Sequence, residues 1–269
     1  MGSVIWVALG GAVGAALGGM VSSLTVGKKT NADVEEEIPD YPCTLFFTAE
    51  GYFKKITPAS LRMSGEHKLK EGDVITQTVE TTNNRDLLFF TDKGTVYKAK
   101  AADFSDTKAS VLGDYVAAKL GFDEGESARY MAVTGDYSGY MLFFFENGKV
   151  AKVELSSYAT KTNRRKLVGA YSDKSPVVAI VQAPEDGEFM LTATSGRMLL
   201  VHTGAIAAKA TRNTIGVQVM TLKGRHLLQK VEPFTEGMVT KSNRYRTKTI
   251  PAAGALPLAE DIGEQLTLD

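Results

Sequence analysis

The 269-residue chain predicts an all-β fold: a β-propeller of about four four-stranded blades, with an apolar N-terminal helix outside it. Three observations carry that expectation. From Cys43 onward, short runs rich in Phe, Val, Leu and Thr alternate with Gly, Asn and Asp pairs, and no 3.6-residue period is sustained. That texture is the signature of many short strands. Four apolar segments align without gaps on a turn glycine, at Gly51, Gly94, Gly148 and Gly196, spaced 43, 54 and 48 residues apart. Each hairpin then leads into a polar stretch and a further strand, so a repeat holds about four strands in roughly 48 residues, the size of a propeller blade.

Residues 1–27 carry no charge. The 23 positions Val4–Val26 could cross a bilayer of roughly 30 Å as a helix. Glycines at 10, 11, 14, 18 and 19 put small residues on one face, as in close-packing membrane helices. Lys28 and Lys29 follow at once, which would keep the next domain in the cytoplasm. A start that is not native to the domain is the competing reading. Residues 28–42, polar, acidic and ending in Pro39 and Pro42, read as a linker.

Residues 43–240 are the β domain. Its four hairpins read LFFTAEGYFKK (45–55), LFFTDKGTVYK (88–98), LFFFENGKVAK (142–152) and MLTATSGRMLL (190–200). In each, an apolar strand meets two turn residues and then a glycine able to take the positive φ of a tight turn. The first three end on Lys55, Lys98 and Lys152; the fourth has Leu200 there. The strands expected after the hairpins are Asp73–Glu80, Arg129–Thr134, Val177–Gln182 and Val217–Leu222. Isolated hairpins are marginal in water, and stacking blades is what would stabilise them. Residues 241–269 form a basic and then acidic tail. KSNRYRTK (241–248) could grip a nucleic-acid backbone and stack Tyr245 on a base, or be a flexible end, and the acids beyond Pro251 could compete with a polyanion for the basic surface.

The net charge of zero hides an asymmetry. Residues 51–255 hold 29 Lys and Arg against 21 Asp and Glu, and the other ten acids, six in 31–50 and four in 256–269, stand in stretches without a base. A basic body with acidic ends suits a polyanion partner, and equally an ordinary solvated β surface. Cys43 is the single cysteine, which excludes a disulfide framework and a cysteine metal cluster. His67, His202 and His226 lie far apart. There is no P-loop, no Ser/His/Asp arrangement and no metal-ligand spacing. No catalytic residue, metal or cofactor is therefore expected.

The phrase FFTAEGYFKKITPASLR (46–62) resembles the first blade of the C-terminal β-pinwheel of bacterial type IIA topoisomerase A subunits, DNA gyrase and topoisomerase IV. The later hairpins and the linking phrase KLKEGDVITQTVETTNNRDLLFFT (68–91) are similar too, and the resemblance runs over about residues 35–250. It implies a non-catalytic cytoplasmic domain that binds and bends double-stranded DNA, largely without sequence preference, and presents it to a separate catalytic core working with a B subunit. Wrapping of that kind needs basic side chains along a curved rim. The residues matching this role are Lys54, Lys55, Arg62 and Lys68 in the first blade, and Lys98, Lys100 and Lys108 in the second. Lys152, Lys161, Arg164, Arg165 and Lys166 match in the third, and Arg197, Lys209 and Arg212 in the fourth.

Two departures qualify the likeness. Gyrase A subunits carry a box of the form Q-R-R-G-G-K-G in the first blade. The matching LRMSGEHKL (61–69) keeps Arg62, Gly65 and Lys68 but lacks the paired arginines and glycines. The chain resembles the type without that box, which implies bending rather than chiral wrapping. The family's catalytic tyrosine sits in a winged-helix domain for which nothing before residue 43 has the pattern, so this chain alone is expected neither to cleave DNA nor to hydrolyse ATP. A membrane-tethered propeller that binds protein, held by Val4–Val26, is the alternative function.

Overall fold

The computed structural model describes residues 38–160 and 164–262. The candidate membrane segment Val4–Val26 and Lys161 lie outside the described residues, and so does most of the expected linker. Among the described residues no helix is long and apolar enough to cross a membrane.

The hairpins form at the turn glycines. β1 (Pro42–Thr48) returns as β2 (Tyr52–Ile56), followed by the helix α1 (Pro58–Arg62) and β3 (Ile75–Thr82). The second repeat supplies β4 (Asp86–Thr91), β5 (Thr95–Lys100), β6 (Asp114–Tyr115), α2 (Val116–Leu120) and β7 (Ala128–Thr134). The third supplies β8 (Tyr140–Phe145), β9 (Lys149–Glu154), β10 (Lys166–Val168) and β11 (Val177–Ala183). From the fourth come β12 (Glu188–Ala193), β13 (Met198–His202), β14 (Val217–Gln218) and β15 (Leu228–Pro233). All four turn glycines have φ between +70° and +84°, where a side chain would cost about 1–2 kcal/mol.

The strands assemble into four antiparallel sheets, ordered β3-β1-β2-β6, β10-β5-β4-β7, β11-β8-β9-β14 and β13-β12-β15. This is a four-bladed, propeller-like fold. Its blades exchange strands. β1 pairs on its inner side with β3, from its own repeat. On the outer side β2 pairs with β6, which follows the second hairpin in sequence. In the same way β10 completes the second blade and β14 the third. In the fourth, the segment after β15 takes the outer edge through bridges from Leu200 to Arg246 and from Met198 to Ala255.

The expected strand Val217–Leu222 is corrected by this exchange. Only Val217–Gln218 is strand, and it belongs to the third blade; the inner strand of the fourth blade is β15. Gly216 makes the difference, because its missing side chain lets the backbone come so close that a Cβ would lie 2.5 Å from the Val150 carbonyl.

Strand alternation distributes the core. Leu87 and Phe89 pack toward the first blade with Leu45, Phe47 and Phe53. Leu88 and Phe90 pack toward the third with Met141 and Phe143. Leu142 and Phe144 meet Leu191 and Leu199 of the fourth. Each such side chain, fully buried, contributes about 1.5–3 kcal/mol. The remaining face of the first blade, Phe46 and Ile56, is covered by Ala109 and Leu61. The remaining face of the fourth, Met190 and Leu200, is covered by Val239 and Tyr245.

Polar staples also join the blades. The Gln77 amide donates to the Met131 carbonyl (2.7 Å) and accepts from its N–H (2.8 Å). Gln182 does the same with Val133, at 2.8 and 3.0 Å. Both glutamines satisfy the otherwise free backbone edge of β7.

Candidate nucleic-acid interface

The hairpin lysines turn inward. β2, β5 and β9 lie between the blade core and the segment that supplies the outer strand, so a lysine there must bring its ammonium to buried acceptors. Lys55 donates to Asn83 Oδ1 (2.5 Å), pairs with Asp106 (3.3 Å) and lies over the Tyr41 ring (5.5 Å). Lys98 donates to the Tyr158 carbonyl (3.0 Å) and Thr160 Oγ1 (2.9 Å), over Tyr137 (5.2 Å). Lys152 donates to Asp186 Oδ1 (2.5 Å), over Tyr140 (4.2 Å).

Lys54, only 1% exposed, donates to the carbonyls of Lys68 (2.6 Å) and Ala109 (3.0 Å). Burial lowers its pKa. Burial also lowers that of Lys98, against an opposing pull from Asp86. Lys54, Lys55 and Lys152, expected at the phosphate interface, are buried, with their ammoniums bonded to acceptors of the protein itself. Lys98 is half-buried. Leu200, at the matching place in the fourth blade, packs with Tyr245 instead.

The other expected residues lie further out. Arg62 is exposed at the end of α1, a helix started by Pro58 and by Thr57, whose side chain accepts from the Ser60 N–H (3.4 Å). Lys68, Lys100, Lys108, Arg164, Arg165, Arg197 and Lys209 are exposed too. Arg197 donates to the Gly254 carbonyl (2.8 Å). Two are partly committed. Lys166 pairs with Asp123, which raises its pKa, and lies over Tyr97 (5.5 Å). Arg212 donates to the Ser157 carbonyl (2.9 Å).

Strand exchange regroups these bases. The segment carrying Lys108 joins the first blade, where the Thr107 N–H donates to the Lys55 carbonyl (2.8 Å). The segment of Arg164, Arg165 and Lys166 joins the second, where the Lys98 N–H donates to the Arg165 carbonyl (2.7 Å). The segment of Lys209 and Arg212 joins the third, where the Lys209 N–H donates to the Lys152 carbonyl (2.9 Å). Each group sits one blade earlier than its place in sequence implies.

The basic tail continues the series as the outer edge of the fourth blade, a placement that sequence reasoning missed. The Thr247 N–H donates to the Leu200 carbonyl (2.9 Å), so Lys241, Arg244, Arg246 and Lys248 flank the fourth blade's outer segment. A signal was present in the glycines. A Cβ on Gly113, Gly216 or Gly254 would lie 2.3–2.5 Å from the carbonyl of Phe53, Val150 or Met198, in each case the second residue after a turn glycine.

Tyr245 is 1% exposed, so it is not placed to stack on a base. Its hydroxyl donates to Asp261 and accepts from the Leu258 N–H (3.0 Å), and burial together with the Asp261 bond raises its pKa. Arg246 forms a bidentate pair with Glu188 (2.6 and 2.9 Å), and Arg244 donates to the Leu256 carbonyl (3.2 Å). Lys241 and Lys248 stay exposed. Asp261, read above as part of an acidic competitor, accepts from the Thr240 N–H (2.6 Å) and hydroxyl (2.7 Å) as well.

A family model described as DNA gyrase C-terminal domain, beta-propeller, matches residues 85–110 and 188–235. One described as formiminotransferase-cyclodeaminase matches residues 2–44, nearly all outside the described residues. The DNA gyrase A protein of Mycoplasma pneumoniae is 22% identical over 258 residues, covering 88% of this chain and 30% of the relative. That of Streptomyces coelicolor is 30% identical over 134 residues, covering 46% and 16%. The chain thus spans under a third of the length of these curated relatives. Among solved structures, the C-terminal domain of DNA topoisomerase IV superposes with a TM-score of 0.65 at 23% identity, over 74% of this chain and 63% of that one. The E. coli ParC C-terminal domain gives 0.55 at 16% identity, over 71% and 78%. With its four strand-exchanging blades and this set of relatives, the chain resembles the β-pinwheel domains that form the C-terminal part of DNA gyrase A and topoisomerase IV.

Proposed function

We propose that the domain binds double-stranded DNA along its outer edge, without sequence preference, bends it, and presents it to the separate catalytic core of a type II topoisomerase working with its B subunit. The observation that carries this reading is the recurrence of bases on the outer segment of each successive blade: Lys108, then Arg164 and Arg165, then Lys209, then Lys241 and Lys248. A curved row of cations spaced by blades suits a bent polyanion, because each neutralises phosphate and releases counterions without reading bases. The domain contributes no chemistry of its own in this reading. It acts by position, in the cytoplasm where bacterial DNA lies.

The experiment is a DNA-binding titration of the full chain by fluorescence anisotropy, at several salt concentrations and on unrelated sequences. Expected is a linear fall of log K with log salt, of slope about −0.9 per phosphate neutralised, and equal affinity across sequences. Absence of binding at low salt rejects the proposal. Shortening of the DNA end-to-end distance on binding, read by energy transfer between terminal dyes, tests the bending.

A further inference from the structure

We propose that a cleft on the second blade, between β5 and the exchanged segment that precedes β10, is a phosphate seat that anchors DNA more tightly than the surface bases of the other blades. The proposal rests on the DNA-binding reading above and deepens it by naming one station as differently built.

The cleft measures about 410 Å³, and Asp86, Lys98, Lys100, Asp103, Arg164 and Arg165 line it. Four cations therefore converge there on two carboxylates. Both carboxylates are already engaged: Asp86 accepts the Tyr137 hydroxyl (2.8 Å) and Asp103 the Lys100 N–H (2.9 Å). The half-buried Lys98 is held by Tyr158 and Thr160. The side chains of Lys100, Arg164 and Arg165 are exposed and, among the described residues, form no ion pair or hydrogen bond. Among the described residues, three cations without a side-chain partner thus surround the hollow. Two of them are guanidiniums, whose forked donors match the oxygens of a phosphate.

The other blades differ. The cleft between β2 and its own exchanged segment, about 330 Å³, is lined by Asp106 and Asp114 and by no cation. On the third blade Arg212 is committed to a carbonyl, and on the fourth Arg246 to Glu188. Exchange explains the asymmetry, since it brings Arg164 and Arg165 across to Lys98 and Lys100, more than 60 residues earlier in the chain. The ligand chemistry is phosphate, as the diester of DNA or as a free polyphosphate.

The test compares two full-length variants with the same loss of charge, Arg164→Ala/Arg165→Ala and Lys108→Ala/Lys209→Ala. All four positions are exposed, and thermal melts confirm that both variants fold. At fixed salt the arginine pair should lose about tenfold more DNA affinity than the lysine pair, because forked, partly enclosed donors outweigh solvated ammoniums. Equal losses overturn the seat and leave the DNA reading standing. A parent chain that binds no DNA overturns the DNA reading itself. Inorganic pyrophosphate, added at constant ionic strength, separates the two sources. Displacement of DNA from the parent but not from the arginine variant means that the seat takes phosphate from either. With the tenfold difference retained and no displacement, it is a seat for the polymer.

Discussion

Replacing Gly254 by alanine should strip the outer edge from the fourth blade. Its φ is +69°, and a Cβ would lie 2.5 Å from the Met198 carbonyl oxygen and 3.0 Å from its carbon. Gly224 is the matched control, with φ +61° and nothing within 4 Å. Gly224→Ala carries backbone strain alone, about 1–2 kcal/mol. Gly254→Ala adds a contact that can be relieved only by moving the segment off β13. That movement gives up the bonds from the Met198 N–H to the Ala255 carbonyl (2.8 Å) and from the Ala255 N–H to the Met198 carbonyl (2.9 Å). At about 1 kcal/mol for each backbone hydrogen bond, the total reaches about 3–4 kcal/mol, roughly twice the control. Urea denaturation followed by circular dichroism measures both. If the two variants cost the same, residues 245–255 are not an integral edge of the blade and the reasoning fails.

Gln182→Leu should cost about 2 kcal/mol, since it orphans both backbone groups of Val133 at the edge of β7; a cost near zero in urea would mean that the blades are joined by apolar packing alone. Lys152→Met should lower stability by up to about 2 kcal/mol, reduced by the partial exposure of Asp186, and leave DNA affinity unchanged at fixed salt, whereas weakened binding would return Lys152 to the interface. Glu126→Gln should flatten the acid limb of the stability curve. Burial pushes the Glu126 carboxyl up, but hydrogen bonds from Tyr97, Thr95, Thr91 and the Asp123 N–H outweigh it and hold the pKa below the ordinary value. With the folded pKa below the unfolded value of about 4.3, the carboxylate's contribution is complete above that pH and is lost as pH falls through the folded pKa. The gap between parent and variant should therefore be widest near neutrality and narrow as pH falls below the unfolded value of about 4.3. A gap that does not change with pH would place the stabilisation elsewhere.

The four hairpins were legible because their causes are local. A glycine at positive φ between two apolar runs specifies a tight turn, whatever lies elsewhere in the chain. The exposed bases Lys100, Lys108 and Lys209 were legible for a similar reason, since each stands at the end of a hairpin or in the segment that follows one. The lysines of the hairpins were not. Lys55, Lys98 and Lys152 recur with the repeat, which reads as a recurring ligand contact. What recurs is a packing requirement met by distant partners: Asn83 lies 28 residues from Lys55, and Asp186 lies 34 from Lys152.

By itself, the sequence determined that the chain makes β-hairpins, how many, where each turns, and that the repeats carry a surplus of bases. Only the tertiary structure decided which blade each outer segment completes, which ammoniums are buried, and that Arg164 and Arg165 face Lys98 and Lys100 across one cleft. The physical reason is range. Turn geometry and strand alternation act over a few residues and are written in order along the chain. Strand exchange pairs segments about 70 residues apart, such as β5 with β10 and β9 with β14, and a short edge strand of two or three residues carries too little pattern to announce its partner.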